Sequence, residues 1–435
     1  MNFQGILKNR VAQNAGWLIG GKIAQMAVNF AVGLLTARYL GPSGYGLINY
    51  AAAYVAFFGA ISGLGINSVI LKELIDRPKE HGTVLGSALL LRAIASVLSA
   101  LTLCGVILIV DAGETVTILV VILSSAALLF QIFDTIAYWF HAQLHSKTAA
   151  ISSFFAFLIT SAYKVYLLAT GKSVIYFAAA TSIDYLFLGL FLFIAYRLNR
   201  GEKFRFSLEY ARQILKKSIH FVLPALMICI YAQTDKLMLK QMLSEAEVGY
   251  YSTAVSVCTV WCFILTAIID SVNPTIMEAH KSDREIFERK NRQLYAITFY
   301  TCIIAALLYT LFAEPMIRIL YSEAYMPAVA PLRVITWYTA FSYLGVARGA
   351  WIVCENCQKY LIIIYAAAAL ANVCLNYLLI PLWGTVGAAA ASLTAQLITA
   401  LVMPALIRPM RRNTKLMLQA FALKDVFKKR SSEKE

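Results

Sequence analysis

The chain has 435 residues, of which 60% are apolar and 14% charged, and its formal net charge is +15. Soluble globular proteins run at about 45–50% apolar and about 25% charged. Too little charge is present to cover a globule of this size, which argues against a soluble enzyme, a disordered chain or a nucleic-acid-binding domain. A greasy chain with a large positive surplus reads as a membrane protein with one basic side.

About 20 apolar residues cross the hydrocarbon core as a helix. Twelve such stretches follow in order, at 14–37, 47–65, 85–110, 116–140, 149–170, 174–196, 218–243, 248–275, 294–313, 329–352, 359–382 and 385–407. Runs such as Ile118–Phe130 do not alternate in polarity, so spanning β-strands are not indicated. An even number of spans puts both termini on one side. With that side cytoplasmic, the inside segments hold 28 of the 38 Lys and Arg and the outside loops only Arg38, Lys172 and Arg318. That asymmetry sets the orientation and predicts a multi-pass membrane protein with both termini in the cytoplasm. The residues before the first span are polar and few, and the first span is expected to be retained as a signal anchor.

The soluble segments exclude several activities. The longest outside loop, Glu314 to Ala328, is too short to hold an external acceptor domain. No GxxxxGK[ST], HExxH or GxSxG pattern is present, and no enzyme activity is expected. His141 and His145 have a metal-like i,i+4 spacing but no acidic third ligand nearby, and Cys354 and Cys357 form one CxxC without a second pair. No metal or other cofactor is expected, apart from a coupling H+ or Na+.

The two halves resemble each other. Gly44-Tyr45-Gly46 leads into Leu47 to Ala51 as Glu247-Val248-Gly249 leads into Tyr250 to Ala254. Trp139 precedes Lys147, and Trp351 precedes Lys359, by eight residues in both cases. Ala178 to Ser182 matches Ala388 to Ser392. The expected architecture is all-α, with 12 transmembrane helices in two parallel six-helix repeats around a central cleft. The boundaries are an N-terminal bundle at 1–196, a basic linker at 197–217, a C-terminal bundle at 218–407 and a basic tail at 408–435. Two such bundles suit alternating access. In the tail, Leu416, Met417, Phe421, Val426 and Phe427 have the spacing of an amphipathic helix on the inner leaflet, although plain positive-inside anchoring explains the charge as well.

Ionisable side chains inside spans cost roughly 2.5–3.5 kcal/mol each near mid-bilayer on insertion scales and usually mark a pathway. Here they are Lys22, Arg92, Lys164, Lys236, Lys240, Arg333 and Arg348 against Asp134, Asp184, Asp235 and Asp270. Lys240 and Arg333 lie near outer helix ends, where their heads can snorkel. Lys22, Gln25 and Asn29 share one face of span one, and Thr36 continues it. Arg92, Ser96 and Ser99 share a face of span three, and Trp337, Phe341, Arg348 and Trp351 a face of span ten. Facing the cleft, Lys22, Arg92 and Arg348 would make a cationic ring suited to a phosphate or pyrophosphate headgroup, which Arg can grip bidentately. His220, Pro224, Tyr231 and Asp235 share a face of span seven, and Ser252, Ser256, Thr259, Thr266, Asp270 and Asn273 form a stripe along span eight. Asp235 and Asp270 are the candidate ion or proton sites; structural pairing and close helix packing are the competing readings.

The segment Leu35 to Gly46 (LTARYLGPSGYG) resembles the signature of Wzx-type polysaccharide flippases of the MOP superfamily. So do Trp139 to Gln143, Asp235 to Leu239 followed by Glu247 to Tyr251, and Asn376 to Gly387. The resemblance covers the whole chain. It implies transport of undecaprenyl-diphosphate-linked oligosaccharide units from the cytoplasmic to the outer leaflet, for O-antigen, capsule or another surface glycan. The implied partners are the polyprenyl-diphosphate-linked glycan, membrane lipids and the polymerase and glycosyltransferases of glycan assembly. A cation-coupled drug exporter of the MATE type and a lipid II flippase of the MurJ type are the alternatives. The MurJ type usually has fourteen spans, and span cations outnumber span anions here, which favours an anionic substrate.

Overall fold

The structure is a computed structural model that describes residues 10–423, with side chains from residue 25 onward. The described residues form helices joined by short turns, with no strand among them. The expected all-helical, multi-pass membrane protein is what the chain forms. Among the described residues nine helices are long and apolar enough to cross a membrane, or ten if one bent pair counts as a span. All twelve expected stretches are nonetheless helical. Gln25–Asp76 counts once in that tally although it holds two spans, and Val329–Ala347, which carries Arg333, is not in it.

The chain divides into two compact units, Met1–Cys229 and Ile230–Glu435. The first unit begins with α1 (Arg10–Ser62), which holds the first span and most of the second. Gly41 separates them at φ 68°, ψ 176°, a conformation only glycine adopts readily, and Pro42 then starts the next helix without needing an N–H partner. The GP pair of the family-like segment is therefore the hinge between two spans. After a break at 63–66 the second span continues as α2 (Asn67–Asp76). Gly65 makes that break (φ 65°), and a Cβ there would lie 2.4 Å from the Ser218 carbonyl oxygen. The following helices are α3 (His81–Val110), α4 (Thr115–Phe130), a 3₁₀ turn (Gln131–Asp134), α5 (Thr135–Ala142), α6 (Ser146–Ala169) and α7 (Val174–Leu198).

On α3 the polarity is inverted relative to a soluble helix. Arg92, Ser96 and Ser99 are buried, while Ile94, Val97, Leu98 and Leu101 are exposed. Polar groups inside and apolar groups outside are what lipid demands.

The stretch read as a linker packs on the first unit. The Gly82 amide donates to the Glu202 carboxylate (2.7 Å), the Arg205 amide to the Gly82 carbonyl (3.1 Å) and the Ser207 amide to the Ser87 hydroxyl (3.0 Å). Farther on, α8 (Leu208–Met242) carries Gln213, which accepts from Arg77, and Lys217, which pairs with buried Glu73. The division between units falls within α8. The extended backbone of 202–207 needs hydrogen-bond partners, and the start of α3 provides them.

The second unit continues with α9 (Glu245–Thr259), α10 (Phe263–Ser282), α11 (Arg284–Leu320), α12 (Val329–Ala347) and α13 (Gly349–Cys354). It ends with α14 (Leu361–Trp383), α15 (Thr385–Leu397), a π turn (Ile398–Val402), α16 (Met403–Leu406) and α17 (Arg411–Phe421). Asp283 caps α11 by accepting from the Glu285 amide (2.7 Å). The internal repeat extends to the places where helices break. In each unit the second span is interrupted (63–66; 260–262) and so is the fourth (the 3₁₀ turn; Arg348 between α12 and α13). Trp139 and Trp351, the repeat landmarks, are buried in corresponding core clusters, one with Ile70, Leu85 and Tyr196, the other with Phe287, Leu294 and Ile364.

Of the two readings of the tail, the amphipathic helix on the inner leaflet is not what forms. Leu416 and Met417 are fully buried against the second unit, and the Phe421 ring stacks on Phe299 at 4.0 Å. The apolar face of α17 is covered by protein, so it does not lie on lipid: Arg412 binds Glu288, and Asn413 donates to the Tyr295 hydroxyl (2.6 Å). Val426 and Phe427 lie outside the described residues.

Candidate functional site

In the first unit the interruption of the fourth span gathers the polar groups. The Thr135 hydroxyl donates to the Ile132 carbonyl (2.9 Å) across the 3₁₀ turn, and the Arg92 Nη1 donates to that same hydroxyl oxygen (2.8 Å). Arg92 is 3% exposed, and the Asp134 carboxylate and the Tyr138 and Tyr185 rings surround its charge. Its Nε is buried without a partner. Beside it, Asp184 accepts from the Thr160 hydroxyl (3.1 Å) and feels the charge of Lys164. Two cations and two anions thus form one membrane-embedded network, in which each charge has an opposite charge nearby.

The second unit holds its charges differently. Asp235 is 1% exposed and lies among four neutral side chains. Its Oδ1 accepts from Asn372 (3.0 Å) and Asn376 (2.6 Å), and its Oδ2 from the Tyr251 and Ser392 hydroxyls. The Asn376 Oδ1 is buried with no partner. Side-chain amide orientation is interchangeable, so turning the two amides would face oxygens toward the carboxylate. Carboxylate, amide and hydroxyl oxygens together are the donor set of a hard cation, and the same carboxylate can also hold a proton.

Arg348 is 1% exposed and sits at the break of the fourth span. Its Nη1 donates to the Thr399 carbonyl (2.7 Å) in the π turn of the last span, with the Ala400 carbonyl at 3.5 Å. A π turn leaves carbonyls without their usual helical donors, and such turns cluster at functional positions. Tyr231, Tyr295 and Tyr365 surround the guanidinium, and its Nε is buried without a partner.

The other sequence-derived residues are placed less tightly. Lys22 lies outside the residues whose side chains are described. Gln25 is half-buried and Asn29 exposed; Thr36 is buried and bonds back to the Val32 carbonyl (2.7 Å). Asp270 is exposed, unlike Asp235. The polar stripe of span eight is not continuous, because α9 and α10 meet at 45° and its two halves lie on different axes. Thr259 and Thr266 spend their hydroxyls on their own helix backbone. Reading the sequence missed Thr135, Gln131 and Tyr185 in the first unit and Tyr251, Asn372, Asn376 and Ser392 in the second. The i,i+4 pair Asn372 and Asn376 in an otherwise apolar span was the signal that pointed to the Asp235 cage.

Comparison with known proteins agrees with this architecture. Residues 11–280 match the family model described as polysaccharide biosynthesis protein. No curated protein matches the chain by sequence. Among solved structures, the chain is similar to the lipid II flippase MurJ in an inward-closed conformation, with TM-score 0.73 and 15% identity over 94% of this chain and 92% of that one. It is also similar to an inward-facing multidrug-resistance MATE family transporter of the MOP superfamily (TM-score 0.66, 17% identity, 90% of this chain and 96% of that one). A MOP superfamily transporter from Pyrococcus furiosus, described by the reverse polarity of its binding pocket, matches at TM-score 0.64 and 17% identity over 92% and 94% of the two chains. At these identities the likeness shows the fold.

Proposed function

The chain belongs to the polysaccharide biosynthesis protein family, and from that premise we propose that it is a flippase for undecaprenyl-diphosphate-linked oligosaccharide units. It carries them from the cytoplasmic to the outer leaflet of the bacterial cytoplasmic membrane by alternating access, with both termini in the cytoplasm, for surface polysaccharide such as O-antigen or capsule. Its partners are the lipid-linked glycan and the polymerase and glycosyltransferases that use and make it. The observation that carries the anionic-substrate reading is two buried arginines at membrane depth, Arg92 and Arg348, each with an Nε that none of the described residues satisfies. A buried donor on a cation is costly to leave unmade, and a phosphate oxygen satisfies it. Lys22, Gln25 and Asn29 on span one are assigned to the same substrate path. Asp235 is assigned to the coupling H+ or Na+, on the strength of its oxygen-rich surroundings; exposed Asp270 is assigned a secondary part in the same task.

The decisive experiment is reconstitution. Proteoliposomes holding the full chain and a fluorescent polyprenyl-diphosphate-linked sugar should show protein-dependent movement between leaflets, reduced at least about tenfold in Arg92→Gln and Arg348→Gln. No movement with the unsubstituted protein overturns the reading. The acids Asp134 and Asp184 in the first-unit network favour a second reading, a cation-coupled drug exporter. It predicts drug resistance on expression with surface glycan unchanged.

A further inference from the structure

The first unit contains a cavity of about 470 Å3 beside the charge network, within the roughly 300–1,000 Å3 typical of small-molecule sites. The second-span part of α1 forms one wall, where Ala52, Ala56 and Gly59 leave the space that larger side chains would fill. A Cβ on Gly59 would lie 3.2 Å from the Gln131 Oε1, so glycine is what leaves room for that side chain at the wall. The facing wall comes from the 3₁₀ turn and α7 and is polar but uncharged. Gln131 Nε2 donates to the Tyr185 hydroxyl oxygen (3.1 Å), which leaves the tyrosine proton to be donated elsewhere. The Gln131 Oε1 is buried and has no partner. Thr181 adds an exposed hydroxyl and Phe177 an aromatic ring.

An unsatisfied amide acceptor, a phenol poised to donate, further hydroxyls and aromatic surface match a molecule with hydroxyl or amide donors on a ring that is apolar on one face. Beyond the floor, Asp134 and Asp184 act on the Tyr185 hydroxyl, and Arg92 opposes them more weakly, so the field at that hydroxyl disfavours anions. We propose that this cavity is a binding subsite for an uncharged sugar, a hexose or an acetamidohexose, with Gln131 Oε1 accepting from the sugar and Tyr185 donating to it. Sugars bearing carboxylates are disfavoured by the neighbouring acids and by the Gln131 oxygen, which a carboxylate cannot satisfy. The identification of the occupant as part of a carried glycan rests on the flippase reading; the site's chemistry does not.

The test uses the full-length protein in detergent micelles and saturation-transfer NMR, with two free probes, N,N′-diacetylchitobiose and digalacturonate. The neutral disaccharide should receive saturation and the acidic one should not. Gln131→Leu should weaken binding of the neutral probe about tenfold, as the loss of one hydrogen bond to a buried group implies. Ala56→Phe should abolish it by filling the cavity, with thermal melting showing that the variant is folded. Absence of saturation with the neutral probe, equal saturation with both probes, or binding unchanged in Gln131→Leu overturns the subsite. The proteoliposome assay separates the two readings. Movement of the lipid-linked sugar by both the unsubstituted protein and Ala56→Phe removes the subsite and leaves the flippase. Sugar binding without movement removes the flippase and leaves the subsite.

Discussion

The two units share a plan and differ in how they keep charge inside the membrane. Both interrupt their second and fourth spans, and both bury a tryptophan eight residues before a lysine. In both, a helix after the sixth span packs back on its own unit: the start of α8 through Lys217 on Glu73, and α17 through Arg412 on Glu288. The first unit then sets Arg92 near Asp134 and Lys164 near Asp184. The second holds Asp235 with neutral donors and Arg348 with backbone carbonyls. A charge paired with an opposite charge is neutralised as a unit. A charge held by dipoles keeps its full valence and can exchange it with an ion or a substrate. The second unit therefore offers the more exchangeable charges, whereas in the first the Arg92 Nε is what the network leaves to a ligand.

Removing the Asp235 carboxylate should have the largest effect. Asp235→Ala leaves four donors converging on empty space and should cost on the order of 3–5 kcal/mol in an SDS-unfolding measurement. Asp235→Asn keeps the volume and should retain most of the stability while losing coupled transport. Equal stability loss in both would mean that the cage is structural only. The first unit offers the converse test. Arg92→Met strands Asp134 and should cost about 2–4 kcal/mol, whereas Arg92→Met with Asp134→Asn should recover at least about 1 kcal/mol of it. Additive effects would break the contrast between paired and dipole-held charge.

A third test concerns the helix that closes the second unit. Helix α11 is 37 residues long, well over the roughly 30 Å core at about 1.5 Å per residue, and Glu288 lies in its basic first turns beyond the apolar stretch. Burial works upward on the Glu288 carboxyl, but hydrogen bonds and charge from Arg412 and Arg284 outweigh it and hold its pKa below the ordinary glutamate value. A depressed carboxylate stabilises fully above its unfolded value, about 4.3, and that contribution is lost as pH falls through the folded value. Hydrogen exchange in α17 should therefore rise below about pH 4, and Glu288→Gln should remove the dependence. The smallest effect separates the two tryptophans. Trp139 donates to His81 Nδ1 (3.2 Å), whereas the Trp351 Nε1 is buried without a partner. Both Trp→Phe substitutions leave similar voids, so Trp139→Phe should be the more destabilising in thermal melts, by about 1 kcal/mol.

Much of this was legible in the residues. Span positions, the repeat and the polar face of α3 follow from period and composition, because lipid admits few other arrangements for a chain this apolar. The tail shows the limit: an amphipathic pattern requires an apolar neighbour without saying whether it is lipid or protein, and for α17 it is the protein. Likewise, the hydroxyl stripe of span eight is continuous in sequence and divided in space.

By itself, the sequence determined that the chain crosses a membrane many times, that its basic residues concentrate in the segments between alternate spans, and that its two halves repeat. Those properties depend on hydrophobicity and charge summed along the chain. Only the tertiary structure decided which embedded charges meet. Asn372, Asn376 and Ser392 lie more than 130 residues from Asp235, and Arg348 finds its carbonyls 51 residues away in a π turn. Partners brought together from different helices leave no local period in the sequence, so the assignment of each buried charge depends on how the helices pack.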